Sequence, residues 1–553
     1  MPFLLRLSVF APLALMACAS TYSPSDPDVA ASETAALADD VSRIKADIAW
    51  LADDAREGRE AGTQGYDDAA GYVAARLEGM GVEPGAHGSW FQEAPFVSGT
   101  QVGDASAFSV TTPNGETVEL SYLEDFRIFP SLSSASVEIE EAETVFVGYG
   151  VHAPDLGHDD YAGVDVDGKV VVYFSGAPNG FDTESRAHFR SNSQKAATAS
   201  ARGAIGVISL YTAANEKSAP WARYVANPHY SSMTWVGPDG RPKISGPSIK
   251  ARVTPHPDKA PLLFEGAPHD YVAARAAADG EGEPVGSFDL AVKVSMAGAL
   301  EREEVTSPNV VGLIPGSDPD LKDEYVILTA HLDHIGVNER LIAEGKDGIN
   351  NGAMDNAAGV AVMLQVANDI INVARPARSV MIVAVTAEEK GLLGADYFAH
   401  FPTIGGGQMV ANVNLDMPVM LHDFTDVIAF GAERSSIGPV MQAALDAQGF
   451  TLSPDPIPEL GVFTRSDHYA FVKQGVPSIF LWTGFENGGE ENFWAFYKNH
   501  YHSPSDDISN PIRYDALARF ADVNFIIAKA LANAPSRPQW NEGDFFGDLY
   551  GGQ

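Results

Sequence analysis

The sequence is poor in cysteine and in basic residues. It contains 553 residues but a single cysteine, Cys18, so no disulfide can form within the chain and its stability must come from packing or a bound group. Lys and Arg number 36 against 74 Asp and Glu, which gives a formal net charge of −38. A chain this acidic repels nucleic acid and anionic membrane surfaces. We therefore expect no nucleic-acid partner, and solubility or a salty habitat explains the charge.

Long apolar runs are also scarce, and the one at the N-terminus is short. Residues 1–18 carry one positive charge and are too short to span a bilayer with polar flanks, which favours an export signal. Leu15-Met16-Ala17-Cys18 resembles a lipobox, in which Cys18 would be lipidated and would hold the chain at a membrane. Cleavage after Ala19, at an A-x-A site, is the alternative. Residues 19–31 then form a polar tether. We expect an exported protein, either a bacterial lipoprotein facing the periplasm or on the outer membrane, or a secreted protein.

A serine nucleophile is not indicated. Ser466, Asp467 and His468 are adjacent in the sequence, and adjacent residues cannot form a line of nucleophile, base and orienting group. No Gly-x-Ser-x-Gly elbow accompanies them.

The composition, with 45% hydrophobic and 20% charged residues, is that of a globular protein, and the length predicts two or three domains. Two helical patterns predict that residues 32–101 are the N-terminal part of a catalytic domain. Residues 102–300 have short β-like runs between turns, which indicates an inserted β-rich domain. In residues 301–535 strands and helices alternate, which predicts an α/β sheet covered on both faces. Residues 536–553 are aromatic without a period and are interpreted as a surface-draped or disordered tail.

Polar residues follow apolar strands in the second half of the chain, where ligand sites of α/β sheets lie. Two imidazoles and three carboxylates suit a pair of divalent cations, with zinc the best match. These five candidate ligands are His331, Asp355, Glu389, Asp416 and His502. The histidines of the inserted domain lack such placement and are interpreted as structural: His152, His158, His188, His229 and His256.

Two candidate ligands have neighbours that suggest how they are held. Asp333, two residues beyond His331, is expected to hold the ring of His331 with its carboxylate. His334 is expected to point to the other side if the strand continues. Asp355 lies in a loop rich in Gly, Ala and Asn, and its two oxygens can bridge two cations.

The remaining candidates leave alternatives open. Glu388 and Glu389 are adjacent and point in opposite directions, so one can bind metal while the other accepts a proton from water. Asp506 is expected to orient the ring of His502, and His500 is a rival ligand two residues away.

Six motifs occur in the order AHLDHIG, GAMDNAAG, AEEKGLLG, NLDM, SDHYAF and YHSPSD. Together they resemble the M28 family of zinc exopeptidases over residues 307–534. Residues 51–84 look like the N-terminal helices of that family, and residues 143–176 resemble a protease-associated (PA) domain. The resemblance implies a zinc-exopeptidase fold of the α/β class. Its mixed, mostly parallel sheet would be flanked by helices, and the β-rich PA domain would be inserted into it.

The resemblance also implies roles for the site residues. His331 and Asp416 would hold one zinc ion, Glu389 and His502 a second, and Asp355 would bridge them. Glu388 would be the general base, with Asp333 as the other catalytic residue. A cis peptide is expected between Asp355 and Asn356. Because all five ligand positions are filled, a relative that only binds is disfavoured.

The resulting expectation is an exported aminopeptidase that removes N-terminal residues from peptides. A carboxypeptidase, with Arg465 near the substrate carboxylate, is the alternative. A glutaminyl-cyclase-like enzyme with one zinc and a surface binding protein are more distant options. The substrate pocket is expected from loops near Trp482, Phe485 and residues 493–501, with a contribution from the long inserted loop at residues 215–257.

Overall fold

The computed structural model describes residues 27–225, 231–373 and 375–552. The predicted export signal at residues 1–18, with Cys18, and His229 lie outside the described residues. Within those residues, none of the helices has the length and apolar character that crossing a bilayer requires.

Two helices precede the inserted domain, α1 (Pro27–Leu51) and α2 (Gln64–Met80). Helix α1 begins inside the stretch predicted as a tether, with proline at its first position, where a missing N–H costs nothing. Helix α2 is capped by Thr63 and ends at Gly81, whose φ of 85° suits glycine.

The inserted domain is a β-sheet with short helices. The strands before β13 (Phe288–Ile314) are β1 (Glu83–Pro84), β2 (Phe91–Gln101), β3 (Ala107–Thr111), β4 (Thr117–Leu120), β5 (Phe126–Pro130), β6 (Ser136–Phe146), β7 (His152–Ala153), β8 (His158–Asp159), β9 (Val170–Phe174), β10 (Gly206–Leu210), β11 (Ser231–Trp235) and β12 (Ala251–Pro255). The first half of β13 pairs with β3 and β6. From β6 the sheet continues through β9, β10, β12 and β5 in that order. The helices are α3 (Thr183–Phe189), α4 (Asn192–Ser200), α5 (Ala213–Ser218), α6 (Trp221–Val225) and α7 (Tyr271–Asp279).

The catalytic sheet begins on the second half of β13, which is 27 residues long and therefore belongs to both sheets. Strands β1 and β2 pair with this half of β13, and β11 pairs with β2. The strands that follow β13 are β14 (Glu324–His331), β15 (Ser379–Val385), β16 (Gln408–Leu415), β17 (Asp426–Phe430), β18 (Thr451–Ser453) and β19 (Ser478–Thr483). Its helices are α8 (Glu339–Ala343), α9 (Gly359–Asn372), α10 (Leu393–His400), α11 (Ile437–Asp446), α12 (His468–Val472), α13 (Gly489–Asn499), α14 (Tyr514–Ala532) and α15 (Phe545–Tyr550).

Strands β15, β14, β16 and β19 run parallel, whereas β13 and β17 pair antiparallel at the two sides of this group. Helices α1, α9 and α14 pack on one face of the sheet, and α10 and α12 pack on the other. The predicted mixed, mostly parallel sheet flanked by helices is thus confirmed. Because β14, β15 and β16 are parallel neighbours, their carboxyl ends meet at one edge, where the candidate ligands follow them.

The segment after residue 535 differs from the predicted tail. It contains α15, and Phe546 on this helix is fully buried against the catalytic domain. A helix of six residues is too short to give the sequence a period, which is why its aromatic residues suggested no structure.

Candidate metal centre

The five candidate ligands converge at the carboxyl edge of the catalytic sheet. His331 ends β14, Asp416 follows β16, and Glu389 lies in the turn after β15. Asp355 lies in a π-helical turn, Ala353–Ala358, that leads into α9, and His502 lies in the loop between α13 and α14. The structure thus brings together residues that are up to 171 positions apart in the sequence, which is the separation of residues 331 and 502.

The donor atoms form two groups that share Asp355. His331 Nε2 lies 3.0 Å from Asp416 Oδ1 and 3.2 Å from Asp355 Oδ1. His502 Nε2 lies 3.2 Å from Glu389 Oε2 and 3.3 Å from Asp355 Oδ2. Two donors on one tetrahedral zinc ion are roughly 3.3 Å apart, because each bond is roughly 2.0–2.1 Å long. The spacing within each group therefore suits the ligands of a zinc ion, and each oxygen of Asp355 belongs to one of the two groups.

The protonation of the imidazoles shows that this edge is short of positive charge. Burial alone would lower the pKa of His331, but the carboxylates of Asp416, Glu388 and Asp355 raise it well above its usual value. Burial also opposes protonation of His502, yet contacts with Asp355 and Glu389 raise its pKa to about 10. Both rings thus hold protons to offset buried carboxylates. Divalent cations would supply that positive charge instead.

The loop that carries Asp355 is fixed by hydrogen bonds to its backbone. Asp506 accepts the N–H groups of Met354, at 2.9 Å, and of Asp355, at 3.0 Å. Asp506 therefore holds the loop that carries Asp355, whereas the sequence predicted that it would orient the ring of His502. The peptide bond between Asp355 and Asn356 is cis, as the family resemblance implied.

Asn356 links this loop to the two strands beside it, a role that the sequence reasoning did not identify. Its amide donates to the carbonyls of His331, at 3.3 Å, and Leu415, at 3.0 Å. Its side-chain oxygen accepts the N–H of Met417 at 3.0 Å. The side chain thus joins the backbone of His331 to the residues on either side of Asp416.

Asp333 does not act as the sequence predicted. The contact with His331 Nδ1 is made by the backbone carbonyl of Asp333, at 3.1 Å, and not by its carboxylate. The carboxylate accepts the N–H groups of Glu388, at 3.0 Å, and Glu389, at 3.2 Å. Because β14 ends at His331, strand alternation no longer sets the direction of this side chain. Asp333 therefore positions the glutamate pair.

His334 is also placed differently from the expectation that it points away. It is fully buried, and its Nδ1 lies 2.7 Å from Glu389 Oε1 and 4.0 Å from Asp355 Oδ2. His334 Nδ1 and Glu389 Oε1 make no hydrogen bond within the described residues, and His334, Asp355 and Glu389 form a group that could hold a metal ion. His334 is therefore a rival to His502 as the imidazole ligand beside Glu389. Oxygens Oε1 and Oε2 of Glu389 thus face His334 and His502 respectively.

Arg59 is a second residue that the sequence reasoning missed, since nothing in residues 51–84 indicated a role at the site. Its guanidinium is buried and donates to four carbonyls: those of Leu51, at 2.7 Å, Leu332, at 3.0 Å, Asn351, at 2.6 Å, and Gly352, at 3.1 Å. Burial lowers the pKa of Arg59 to about 10 despite the nearby carboxylates, so it remains charged at neutral pH. One cation therefore ties the N-terminal helices to two ligand-bearing loops.

The other residues that the sequence analysis considered, namely further histidines and Ser466, make contacts that are typical of structural residues. His500 contacts the backbone and hydroxyl oxygens of Ser505, at 3.1 and 3.0 Å. Ser466 donates to Asp416 Oδ2 at 2.6 Å and thereby holds a candidate ligand. In the inserted domain His152 and His158 contact Asp159 and Asp160, and none of its described histidines joins a group that could hold a metal ion.

A cavity of about 70 Å³ lies beside the candidate ligands. Glu388 lines it, and burial together with the charges of neighbouring carboxylates raises the pKa of Glu388 well above its usual value. Phe485 lines a separate recess of about 10 Å³, and no described residue of the inserted loop at 215–257 reaches the cavity. Its aromatic lining comes from the predicted region: Trp482, Phe493, Tyr497 and Tyr501.

The mixed sheet and the paired donor groups at its carboxyl edge define a centre suited to two metal ions in an α/β domain. Residues 309–528, which contain all five candidate ligands, match the profile of peptidase family M28. The match to this segment confirms the resemblance to peptidase family M28 found in the sequence.

Comparison with known proteins adds individual relatives. Mouse aminopeptidase NAALADL1 is 34% identical over 146 residues, which cover 25% of this chain and 17% of that protein. A probable leucine aminopeptidase 2 of Aspergillus oryzae is 26% identical over 277 residues, 45% of this chain and 51% of that protein. The matched segments thus span about half or less of these curated relatives. Among solved structures, an aminopeptidase from Aneurinibacillus sp. strain AM-1 aligns with 90% of this chain and 95% of that chain, at 20% identity and a TM-score of 0.49.

Proposed function

We propose that this protein is an aminopeptidase that uses two zinc ions to hydrolyse the first peptide bond of its substrates. The observation that carries the proposal is the spacing of the donor atoms on either side of Asp355. The match to a peptidase family and the aminopeptidase names of the relatives support the same reaction.

In this proposal His331 and Asp416 would hold one zinc ion, Glu389 and His502 would hold the other, and Asp355 would contribute an oxygen to each. Bound there, the two ions would polarise the scissile carbonyl and lower the pKa of the attacking water. Asp333 fixes the backbone of the glutamate pair, so that Glu389 faces the ligands while Glu388 faces the cavity.

Glu388 is the proposed general base. It lines the cavity, and its elevated pKa shows that it takes up a proton readily in this setting. Its carboxylate would accept a proton from the attacking water and deliver that proton to the leaving amine. Glu388 belongs to neither of the two donor groups, so its replacement should leave both groups intact.

A carboxypeptidase is the second candidate, and Arg465 is the residue that favours it. Arg465 is exposed, lines the cavity, and has no carboxylate partner among the described residues. An unpaired guanidinium in this position could bind the carboxylate of a peptide.

Which end of the peptide is recognised can be tested directly. The protein is loaded with zinc, its metal content is measured, and three peptides of one sequence are compared: unmodified, N-acetylated and C-amidated. An aminopeptidase cleaves the amidated peptide and spares the acetylated one, whereas a carboxypeptidase does the reverse. Binding of a single zinc ion, or no cleavage of any of the three peptides, would contradict the proposal.

The surrounding parts of the chain are also proposed from the sequence. We propose that residues 102–300 are a PA domain and that the chain is exported, with Cys18 as the lipid attachment site. The motif at residues 143–176 and the apolar run at residues 1–18 support these assignments. Membrane fractionation of the wild type and Cys18→Ala tests the anchor, since only the wild type should sediment with membranes.

A further inference from the structure

One part of the cavity is built from a segment with little structure of its own. This segment, residues 458–465, is called the pocket wall here and carries Leu460, Val462 and Arg465 into the cavity lining. It consists of two short helical turns, Pro458–Leu460 and Val462–Thr464, joined at Gly461. Single turns of this kind are weakly stable alone, so the position of the wall depends on what packs against it.

Helix α3 of the inserted domain packs directly on the pocket wall. A Cβ atom placed on Gly461, whose φ is +57°, would lie 2.7 Å from the Cβ of Ala187. Arg190 Nη2 donates to the carbonyl of Leu460 at 3.2 Å. His188 Nδ1 lies 2.7 Å from the hydroxyl of Tyr469, which follows the wall in the chain. At Gly461 the pocket wall and α3 are therefore too close for a side chain to fit between them.

Helix α15 packs on the same wall through Phe546. This side chain is fully buried, and its ring centroid lies 5.3 Å from that of Phe463 and 5.6 Å from that of Tyr469. Phe463 also lines a second cavity, of about 740 Å³, together with Glu184 of α3. Phe463 thus packs against Phe546 and against His468, whose ring centroid lies 5.0 Å away. The contact with Phe546 is the one that α15 contributes.

Arg434 joins the two helices to the catalytic domain. Its guanidinium lies 3.1 Å from Glu184 of α3 and 2.9 Å from Asp544, the residue that caps α15. The same group stacks over the rings of Phe463 and Phe546, at 5.1 and 5.2 Å. Arg434 thus makes both ion pairs and aromatic contacts with α3, α15 and the pocket wall.

We infer that α3 and α15 are positioning elements that hold the pocket wall and thereby set how tightly the cavity binds its substrate. Neither helix supplies a candidate ligand or the proposed base, so the inference concerns binding and not the chemical step. In its kinetic form it rests on the proposed peptidase function. It gives the inserted domain and α15 a role in the selectivity of the cavity for its substrate.

Substitutions at the two contacts test the inference. Phe546→Ala removes the packing behind Phe463, and Gly461→Ala pushes the wall away from α3. Each should raise KM roughly tenfold or more while kcat stays within about twofold of the wild type, since misplacement of a binding group weakens binding without altering the reacting groups. Phe546→Leu should recover most of the loss. Leu549→Ala, on the exposed side of α15, is the matched control and should behave as the wild type.

Hydrogen–deuterium exchange gives a measurement that does not depend on activity. Amides of residues 458–465 should exchange faster in Phe546→Ala and Gly461→Ala than in the wild type or Leu549→Ala. Should Phe546→Ala fail to fold, Glu184→Gln, which weakens the tie to Arg434, takes its place with a smaller change in the same direction. Wild-type KM and wild-type exchange in these variants, or a loss confined to kcat, would overturn the inference. A wild type that cleaves no peptide would instead count against the proposed function, while the exchange measurement would still decide the inference.

Discussion

The metal centre and the pocket wall border the same cavity but are held by different parts of the chain. Arg59, Asn356 and Asp506 tie the metal centre together through backbone groups of the catalytic domain and its N-terminal helices. The pocket wall has no comparable set of ties and depends on α3 and α15. The difference suggests that the groups for chemistry and the groups for selectivity can change independently, which is useful on a fold that serves many peptidases.

Replacement of the proposed base would separate the two regions most strongly. In Glu388→Gln we expect kcat to fall by roughly 10²–10⁴-fold, because proton transfer from water is lost, with little change in KM. Zinc content should remain that of the wild type. This is the opposite kinetic pattern from the wall variant Gly461→Ala, so steady-state kinetics and metal analysis of the two proteins side by side measure the contrast. A loss of zinc from Glu388→Gln would mean that the roles of Glu388 and Glu389 are wrongly divided.

The comparison also shows which features a single sequence could predict. Three candidate ligands, His331, Glu389 and Asp416, were predictable because an apolar strand that ends in His, Asp or Glu at the carboxyl edge of a parallel sheet brings those side chains together. Asp355 and His502 lie in loops, and their place in the set followed from the motifs of the family resemblance. The mixed sheet followed from the alternation of strands and helices. Both features depend on patterns that are local in the sequence.

Features that depend on distant contacts or on turn geometry were missed. Arg59 contacts the carbonyl of Leu332, 273 residues away, and nothing in its polar segment points to that partner. The side chains of Asp333 and His334 were misplaced because β14 ends at His331 and strand alternation ends with it. Phe546 was overlooked because a six-residue helix has no measurable period.

Removal of the buried cation would test how firmly the metal centre is tied. Arg59→Met leaves four buried carbonyls without their donor, and we expect it to lower the free energy of unfolding by about 3 kcal/mol or more. Arg190→Met is the matched control, because it removes a single hydrogen bond from the end of α3 to Leu460 of the pocket wall. It should cost no more than about 1 kcal/mol. Urea titrations of the two variants give both values, and equal losses would remove the proposed difference between the regions.

A smaller effect is expected from the residue that contacts Glu389 from behind. In His334→Asn the oxygen Oε1 of Glu389 loses the imidazole beside it, so Oε2 is held less well toward His502. We expect one of the two zinc ions to bind roughly 10–100-fold more weakly while the other is retained. Competition with a chelator measures both affinities. Phe546→Ala should bind both ions as the wild type does, and release of both ions together from His334→Asn would show that His334 supports the whole centre.

The smallest effect is a dependence of zinc binding on pH that only the metal centre should show. The pKa of His502 is raised to about 10 in the protein without metal, so its ring is protonated at neutral pH. Zinc must displace that proton to reach Nε2, and the affinity of this site should therefore rise roughly tenfold per pH unit up to about pH 10 and level off above it. Chelator competition at pH 6.5, 7.5 and 8.5 measures the slope. His500→Ala, which alters a histidine two residues away that makes no contact with the centre, should keep the slope, and Gly461→Ala should keep it as well. An affinity that does not change with pH would mean that the ring is already neutral, and that the buried carboxylates are balanced by some other charge.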